Sequence, residues 1–505
     1  MDARPPAVLG LDLGTSQVKA LLCSHDGTVL GRGVAGYQVS TPRRGWAEAD
    51  AEQWWQATRT AVRSAVGPVP AEVAGLAVVG QMHGLILVTE RSGLLRPPII
   101  WLDRRSSAEV ADYQRLPADL RARLGNAPSA GMAGPLLLWM SRHEPAVYRR
   151  ARWMLQPKDW LRLRLTGQVA TDPTDASGTL LFDLARGAWA TDVAQALGLR
   201  TDLLPEIRPP AEIAGTLLPA AADQLGLRPG LPVATGSADT AASLLAAHLP
   251  AAPAATGLPA ATGLPAAGRW GLLTLGTGGQ LIVPSPPPSP DIPFSDYPDP
   301  GADLSSTNLF RSVDGGTYRL AGAQNVGVTL DWVRRTLGAS WDELYGTAAR
   351  TWQADTPVFL PQLAGERWDD RGSGGAWIGL TLAHQRGDLM RAALEGVAFL
   401  LRGKLDDMRT AGCAPARIRL AGGGTRHPAW RQLLADVLAV PLYPAGSGWL
   451  TARGAALIAA GAADMMTWAR TPDRSGDDDK AVVGASQLAE ASYRRFRSSV
   501  SRNAC

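Results

Sequence analysis

The sequence predicts a two-domain α/β protein, and three observations lead to this prediction. The chain has 505 residues, more than a single domain usually contains. Each half begins with strand-like runs and continues with alternating strands and helices, as α/β folds do. A segment rich in Pro and Gly lies between the halves and contains the unit ATGLPA twice. We therefore expect domains at 1–247 and 269–505, with an insertion at 248–268 that forms a surface loop.

The elements of the first half can be predicted in chain order. The runs AVLGLDLG and VKALLCS are predicted strands on either side of a Gly-Thr-Ser turn, and GTVLGRGVAGYQV is a third strand. A helix is expected at 52–66, followed by the buried strand AGLAVVG. Further along, the run VATGSADTAA at 233–242 ends a strand and enters an Ala-rich helix.

The second half repeats this order of elements. The runs WGLLTLG and QLIVP are predicted strands that flank a Gly-Thr-Gly-Gly turn, and RIRLAGGG is a strand that ends in glycine. Two helices are expected, one at 390–405 and one that starts near Pro428. Both carry apolar residues at helical spacing, which indicates core packing. The residues expected in the core are Leu394, Val397, Ala398, Leu401, Leu405, Trp430, Leu433, Leu434, Val437 and Leu438.

Composition and charge exclude several classes of protein. Apolar residues make up 46% of the chain, which excludes general disorder. The net charge is +4 and the Arg residues are scattered, so nucleic-acid binding is not expected. No run of about 20 apolar residues lacks Gly, Pro and charge, so no membrane association is expected. The widely spaced Cys23, Cys413 and Cys505 predict neither a disulfide framework nor a zinc site, which favours a cytoplasmic protein.

A Gly-Thr turn between two strands occurs near the start of each half. In the first half it is Gly14-Thr15-Ser16, and in the second half it is Gly276-Thr277. Backbone N–H groups in such a turn point into a concave space and can bind phosphate oxygens. Ordinary hairpins also use glycine, so one copy alone would indicate little. Two copies favour a nucleotide held between the two halves.

Two acidic residues lie beside predicted turns. Asp12 precedes the first Gly-Thr turn, where a carboxylate would repel phosphate unless a cation lies between them, so it is a candidate Mg²⁺ ligand. The alternative is a solvated turn residue. Asp239 could cap the helix that follows it, or it could act as a base towards a substrate hydroxyl. The residue pattern leaves these alternatives open.

Further polar or glycine-rich segments follow predicted strands. In α/β sheets, ligands usually bind at the carboxyl ends of strands. The segment 80–84, Gly-Gln-Met-His-Gly, lies at such an end, and 101–105 adds an acid and a guanidinium suited to a polyol. The triple glycine at 422–424 could lie against a flat ligand such as adenine, or could serve packing only.

These motifs resemble the FGGY carbohydrate kinases, in the same order and over almost the whole chain. The Gln-Met-His-Gly run is similar to that of the xylulokinase branch of the family. The matching segments are 10–16, 52–55, 80–84, 157–164, Asp239, 275–277, 359–361, 365–367, 375–395, 422–424 and 430–436.

The resemblance implies two ribonuclease H-like domains, of the actin and hexokinase type, around a central cleft. It implies Mg²⁺-dependent transfer of phosphate from ATP to a ketose, D-xylulose for the xylulokinase branch, and it suggests a homodimer. The first domain would bind the sugar and the second most of the ATP. The expected site residues are then the base Asp239, the sugar-binding residues Met82, His83, Asp103 and Thr240, the nucleotide-binding residues Gly14, Thr15, Ser16, Gly276, Thr277, Gly423, Gly424 and His427, and the metal ligand Asp12.

The chain departs from the family pattern at positions that bear on the substrate. Leu102 and Thr240 both stand where the family commonly has Asn, and Leu136 stands where it has Lys. A Leu cannot replace the hydrogen bonds of an Asn, a loss of about 1–3 kcal/mol for each group left unpaired. A kinase for another ketose, a polyol or an aldonic acid is therefore the alternative function. A non-catalytic sugar sensor is a third, which the presence of Asp12 and Asp239 disfavours.

Overall fold

The computed structural model describes residues 6–67, 71–247, 270–285, 307–363, 374–445, 448–464, 481–484 and 486–503. The predicted insertion at 248–268, the motif at 365–367 and Cys505 lie outside the described residues. No helix within the described ranges combines the length and the apolar composition needed to cross a bilayer.

The first half of the chain carries the strands and helices of one α/β unit. Its strands are β1 (Pro6–Leu13), β2 (Gln17–Ser24), β3 (Val29–Gly36), β4 (Val39–Ser40), β5 (Glu48–Ala49), β6 (Glu72–Gly80), β7 (Ile86–Val88), β8 (Trp153–Leu155), β9 (Phe182–Asp183), β10 (Ala188–Trp189), β11 (Ile213–Thr216), β12 (Pro232–Ala234) and β13 (Ser237–Ala238). Its helices are α1 (Ala51–Val66), α2 (Val110–Gln114), α3 (Ala118–Leu124), α4 (Ala133–His143), α5 (Pro145–Arg150), α6 (Pro157–Thr166), α7 (Pro173–Ala176), α8 (Thr191–Ala196), α9 (Pro219–Leu225) and α10 (Asp239–Ala247), with a 3₁₀ turn at Thr201–Leu203.

The second half carries a similar set. Its strands are β14 (Trp270–Leu275), β15 (Gly279–Ser285), β16 (Asn308–Arg311), β17 (Thr317–Ala323), β18 (Val358–Leu360), β19 (Ala376–Ile378), β20 (Arg417–Ala421) and β21 (Leu442–Pro444). Its helices are α11 (Gly327–Thr336), α12 (Trp341–Gly346), α13 (Arg386–Thr410), α14 (Pro428–Leu438), α15 (Leu450–Ala462) and α16 (Gln487–Asn503), with 3₁₀ turns at Thr347–Ala349 and Gly423–Thr425.

The two main sheets are built in the same way. The first has the order β11-β12-β6-β1-β2-β3, and the second has the order β16-β17-β15-β14-β20-β21. In each, an antiparallel hairpin (β1–β2 or β14–β15) pairs with a third antiparallel strand on one side. On the other side, the first strand of the hairpin pairs in parallel with β6 or β20. This duplicated, ribonuclease H-like order confirms the predicted fold class.

Helices form where the sequence predicted them, and their buried faces are the predicted ones. Asp50 caps α1 by accepting a hydrogen bond from the N–H of Glu52 at 2.9 Å. Trp54 and Trp55 of this helix are almost fully buried against the first sheet. Pro428 is the first residue of α14. The apolar residues predicted for α13 and α14 all lie in the core of the second half.

Helix α15 joins the two halves, a role that no local sequence pattern predicts. It packs against β1, β6 and α10, which belong to the first half of the chain. The approach is so close that a Cβ at Gly10 would collide with the carbonyl oxygen of Ala452, and a Cβ at Gly454 with that of Ala242. We call residues 6–247 with α15 the first lobe, and residues 270–445 with α16 the second lobe.

Candidate active site

Three segments of the candidate site leave the first sheet at the same edge. In the register of the sheet, Leu13 of β1 pairs with Gly80 of β6, and Ala238 of β13 pairs with the same Gly80. The chain continues from these positions into the first Gly-Thr turn, into 81–83 and into Asp239. Parallel pairing therefore brings together residues that lie more than 60 positions apart in sequence, at the strand ends where α/β sheets bind ligands.

Asp12 is a buried carboxylate close to that edge. Only 6% of the surface of Asp12 is exposed to solvent. The ammonium Nζ of Lys19 lies 3.9 Å from its Oδ2. Burial raises the pKa of Asp12 to about 6, while the charge of Lys19 opposes that shift. Because Asp12 is buried and Lys19 is 3.9 Å away, a further positive charge nearby would stabilise the ionised form of Asp12.

Asp239 is the first residue of α10, and its side chain is half-buried. Its Oδ1 accepts a hydrogen bond from the N–H of Thr240 at 2.7 Å. Burial raises the pKa of Asp239 to about 7, and the nearby charge of Asp12 raises it further. The contact with Thr240 resembles the capping role that the sequence left open. The raised pKa makes Asp239 a stronger base than an ordinary aspartate, as the alternative role requires.

Side chains of the first lobe cover the first Gly-Thr turn. The N–H of Gly14 donates to the carbonyl of Gln17 at 3.1 Å, which closes the turn. The hydroxyl of Tyr37 donates to the carbonyl of Gly14. The indole Nε1 of Trp101 donates to Oγ1 of Thr15 at 2.9 Å, and Ser16 is exposed. The turn is therefore held rigidly beside Asp12.

The second Gly-Thr turn is open by comparison. Gly276 and Thr277 are both exposed, and the N–H of Gly276 donates to the carbonyl of Gly278 at 2.8 Å. Within the described residues, no atom lies within 4 Å of where a Cβ of Gly276 would stand. The exposed residues of this turn are accessible to a ligand such as phosphate.

The triple glycine lies directly against the second turn. Strand β20 pairs in parallel with β14, so the segment that follows it reaches the same edge of the second sheet. Gly422 has φ +96°, and a Cβ there would collide with the carbonyl oxygen of Leu275. Gly423 is exposed and Gly424 is half-buried. The structure thus brings the predicted nucleotide-binding residues of the second half together.

His427 follows this glycine turn and stacks on an aromatic ring. Its ring lies 5.8 Å from that of Tyr345, centroid to centroid, at an interplanar angle of 25°. Tyr345 also contacts Trp430 of α14 at 6.1 Å. His427 is half-buried. The rings of His427, Tyr345 and Trp430 therefore form an aromatic cluster beside the glycine turn.

The second lobe also reaches the predicted sugar-binding residues. The hydroxyl of Thr240 lies 2.5 Å from that of Tyr318 and donates to the sulfur of Met82 at 3.0 Å. The ring of Phe310 lies 5.6 Å from that of His83. Phe310 and Tyr318 belong to β16 and β17, so residues of both lobes pack together next to Asp239. The hydroxyl of Thr240 is already bonded within the protein.

His83 has a fixed orientation. Its backbone has φ +70°, a conformation that few residues other than glycine adopt. Its Nδ1 lies 2.8 Å from the carbonyl oxygen of Gly178. Because a carbonyl only accepts, Nδ1 carries the hydrogen. A Cβ at Gly178 would stand 3.0 Å from the His83 ring.

Asp103 occupies a different environment from the one expected for a direct sugar ligand. It is fully buried, and its oxygens accept bonds from the N–H of Ala47 at 2.6 Å and from the guanidinium of Arg105 at 2.8 and 2.9 Å. Its neighbour Leu102 is 41% exposed. Asp103 therefore supports the loop that carries Trp101, and a direct contact with sugar stays a prediction.

The sequence reasoning missed Lys19, Phe310 and Tyr318. Lys19 is one of few lysines in the chain and follows the first Gly-Thr turn, which could have marked it as a phosphate ligand. Its Nζ also donates to the carbonyl of Gly448 at 2.6 Å, just before α15. Phe310 and Tyr318 lie in ordinary strand patterns of the second half, and only the contact between the lobes reveals them.

Comparison with models of protein families identifies the family of this chain. The model of the N-terminal domain of the FGGY family of carbohydrate kinases matches residues 7–246, and that of the C-terminal domain matches residues 271–463. The chain belongs to the FGGY family of carbohydrate kinases. It is therefore an ATP-dependent carbohydrate kinase, and the predicted family is confirmed.

Individual FGGY relatives resemble the chain over nearly its whole length. The xylulose kinase of Escherichia coli (strain K12) is 34% identical over 459 residues, which cover 89% of each chain. That of Klebsiella pneumoniae is 35% identical, with the same coverage. The solved structure of the xylulose kinase of Rhodospirillum rubrum matches with a TM-score of 0.81 at 28% identity and covers 98% of each chain. The two-lobed FGGY kinase fold is thus shared along the chain.

Proposed function

We propose that this kinase transfers the γ-phosphoryl group of ATP to the primary hydroxyl of D-xylulose, giving D-xylulose 5-phosphate. The observation that carries the proposal is the pair of desolvated carboxylates, Asp12 and Asp239, at neighbouring strand ends of the first lobe. Similarity to xylulose kinases over most of the chain supports the choice of sugar.

Asp239 acts as the general base in this proposal. Asp239 directly precedes Thr240, which contacts Met82 and Tyr318. A sugar bound at the predicted residues Met82 and His83 would therefore lie next to the carboxylate of Asp239. A base is most effective when its pKa lies near the working pH, and the pKa of Asp239 is about 7. Asp239 takes the hydroxyl proton while the hydroxyl oxygen attacks the γ-phosphorus, the bond from that phosphorus to the β–γ bridging oxygen breaks, and ADP leaves. His83 orients the sugar.

The second lobe holds the nucleotide. The open turn at Gly276-Thr277 exposes its backbone and the hydroxyl of Thr277 to the phosphates, and the glycine turn at 423–424 beside His427 offers a flat surface to adenine. The ammonium group of Lys19 reaches between Asp12 and the segment before α15, so it is placed to neutralise phosphate charge. Phosphoryl transfer depends mainly on such positioning and charge compensation.

The residues around Asp12 suit Mg²⁺. This ion prefers hard oxygen ligands and usually takes one or two carboxylates, with phosphates and waters completing its shell. Among the described residues, no three or more His, Cys, Asp or Glu side chains are grouped to hold a metal, so Asp12 would act with ATP and water. When bound, Mg²⁺ neutralises charge on the β- and γ-phosphates.

A kinase for a different sugar, polyol or aldonic acid is the second candidate. Two observations favour it: Leu102 is 41% exposed beside Trp101, and the Thr240 hydroxyl is bonded to Tyr318 and Met82. Neither residue offers the amide of the Asn that is common at these positions. The preferred substrate would then differ from D-xylulose at the group that such an amide would bind.

A substrate panel tests the proposal. D-Xylulose, other ketoses, polyols and aldonic acids are compared by coupled detection of ADP at saturating Mg·ATP. We expect the highest kcat/KM for D-xylulose. A higher kcat/KM for another compound would support the second candidate, and sugar-independent ADP release alone would contradict both.

A further inference from the structure

Five charged side chains lie fully buried beneath the candidate site and take no part in the proposed chemistry. They are Lys158, Asp159, Arg162, Asp172 and Asp175, which we call the buried charge cluster. The Nζ of Lys158 lies 3.0 Å from Asp172 and 3.3 Å from Asp175, and Arg162 lies 3.0 Å from Asp159. Burial raises the pKa of Asp175 well above its ordinary range.

Such a cluster is a poor source of stability. Removing charges from water costs free energy that their mutual attraction repays only when the geometry is very favourable. Apolar side chains of similar volume would often stabilise a fold as well or better. The cluster is therefore better explained by what it holds in place.

The cluster holds the segment that leads into Asp239 at two points. The guanidinium of Arg162 donates to the carbonyl of Thr235 at 2.8 Å. The hydroxyl of Thr174 donates to Oδ2 of Asp172 at 2.5 Å and accepts a bond from the N–H of Ala238 at 2.8 Å. Ala238 directly precedes Asp239. A continuous chain of polar contacts thus runs from Lys158 through Asp172 and Thr174 to the residue before the base.

The residues after Thr174 fix the rest of the pocket. The carbonyl of Gly178 accepts from Nδ1 of His83. The hydroxyl of Ser177 donates to the carbonyl of Thr174 at 2.8 Å and accepts from the N–H of Arg311 in β16 of the second lobe at 3.0 Å. The segment 172–178 therefore connects the base, the sugar-binding histidine and the second lobe.

We infer that Thr174, held by the buried charge cluster, is a positioning residue that sets the place of Asp239 relative to the sugar hydroxyl. The inference rests on the proposed role of Asp239 as base. Thr174 touches neither the substrate nor the reacting atoms; it acts through the N–H of Ala238. A displacement of about 1 Å at a base can cost about 100-fold in rate, so one hydrogen bond at this position has a large effect.

The test replaces Thr174 by residues of similar size. Thr174→Val keeps the shape and removes the hydroxyl, and we expect kcat with D-xylulose to fall by about 10- to 100-fold while the KM for ATP is unchanged. Thr174→Ser restores the hydroxyl, so its kcat should match that of the unmodified chain. Thr174→Cys, a weaker acceptor, should be intermediate and serves as the test if the Val variant does not fold.

Thr179→Val is the matched control. Thr179 is also buried, and its hydroxyl donates to the carbonyl of Ala176 at 2.6 Å and accepts from the N–H of Leu181 at 3.1 Å. This variant should lower the melting temperature as much as Thr174→Val, with kcat kept. If Thr174→Val and Thr179→Val had equal kcat, or if Thr174→Ser were as slow as Thr174→Val, the positioning role of Thr174 would be wrong. The proposed function of the kinase would be unaffected by either result. No sugar-dependent turnover by the unmodified chain would overturn the proposed function and this inference with it.

Discussion

The two lobes share one sheet order, yet their Gly-Thr turns differ in what surrounds them. In the first lobe, Tyr37 and Trp101 bond to the turn, and the carboxylate of Asp12 lies just before it. In the second lobe, Gly276 and Thr277 are exposed. The residue before the second turn that corresponds to Asp12 is Thr274, which carries no charge.

This difference indicates a division of work within a duplicated fold. A covered turn with a buried carboxylate can hold reacting groups in a fixed geometry, and low polarity around them strengthens their electrostatic interactions. An open turn leaves its exposed residues Gly276 and Thr277 accessible to a mobile ligand such as ATP. In the proposed function, the same topology therefore serves chemistry in one lobe and nucleotide binding in the other.

The largest expected effect comes from removing the proposed base of the first lobe, Asp239. Asp239→Asn keeps the size of the side chain and the bond to Thr240, and we expect kcat to fall by about 10²–10⁴-fold. Affinity for ATP, measured by calorimetry with a non-hydrolysable analogue, should stay the same because the second lobe is unchanged. A variant that keeps its kcat would contradict the assignment of chemistry to the first lobe.

Smaller effects are expected on the Michaelis constants. A variant in the first lobe should change the KM for the sugar, and a variant in the second lobe should change the KM for ATP. His83→Asn tolerates the positive φ and should raise the KM for the sugar about tenfold, the value of one hydrogen bond of about 1.4 kcal/mol, with the KM for ATP kept. Thr277→Ala should raise the KM for ATP and leave the KM for the sugar unchanged. Initial rates over a grid of both substrate concentrations give the two constants. If both variants raised the same constant, the division between the lobes would be wrong.

The smallest effect concerns stability. The pKa of Asp239 is higher in the folded chain than its ordinary value of 3.8, so the folded state binds the proton more tightly than the unfolded state. The folded state is therefore destabilised as the pH rises from about 4 through about 7, and Asp239→Asn removes that penalty. We expect the variant to melt at a higher temperature than the unmodified chain at about pH 8, with a smaller difference at about pH 5. Equal differences at both pH values would show that the carboxylate is not desolvated.

Much of the fold could be predicted because it depends on local patterns. Strand alternation, the cap at Asp50 and Pro428 at the start of α14 are each encoded within a few residues. The role of α15 and the pocket contacts of Tyr318 could not be predicted, because they depend on how distant segments pack. The buried charge cluster was part of a recognised motif at 157–164, but its partners Asp172 and Asp175 are specified only in three dimensions.

Sequence context located the candidate site residues along the sheet but not their surroundings. Asp12 lies near the end of a strand and Asp239 follows one, so their context predicted that both lie at a sheet edge, and the structure puts Asp12 close enough to raise the pKa of Asp239. Asp103 has similar context but is fully buried under Arg105. Sequence context indicates where a strand ends. The exposure of one side chain depends instead on the residues that pack around it in three dimensions.

The pH dependence of the rate tests the central claim most directly. Initial rates with D-xylulose and Mg·ATP, both far below their KM, report the groups of the free enzyme between about pH 5 and pH 9. If Asp239 is a desolvated base, kcat/KM should fall on the acid side with a midpoint near its pKa of about 7. The residual activity of Asp239→Asn should lack that fall. A profile that is flat from pH 5 upward in the unmodified chain, or the same acid limb in the variant, would contradict the account.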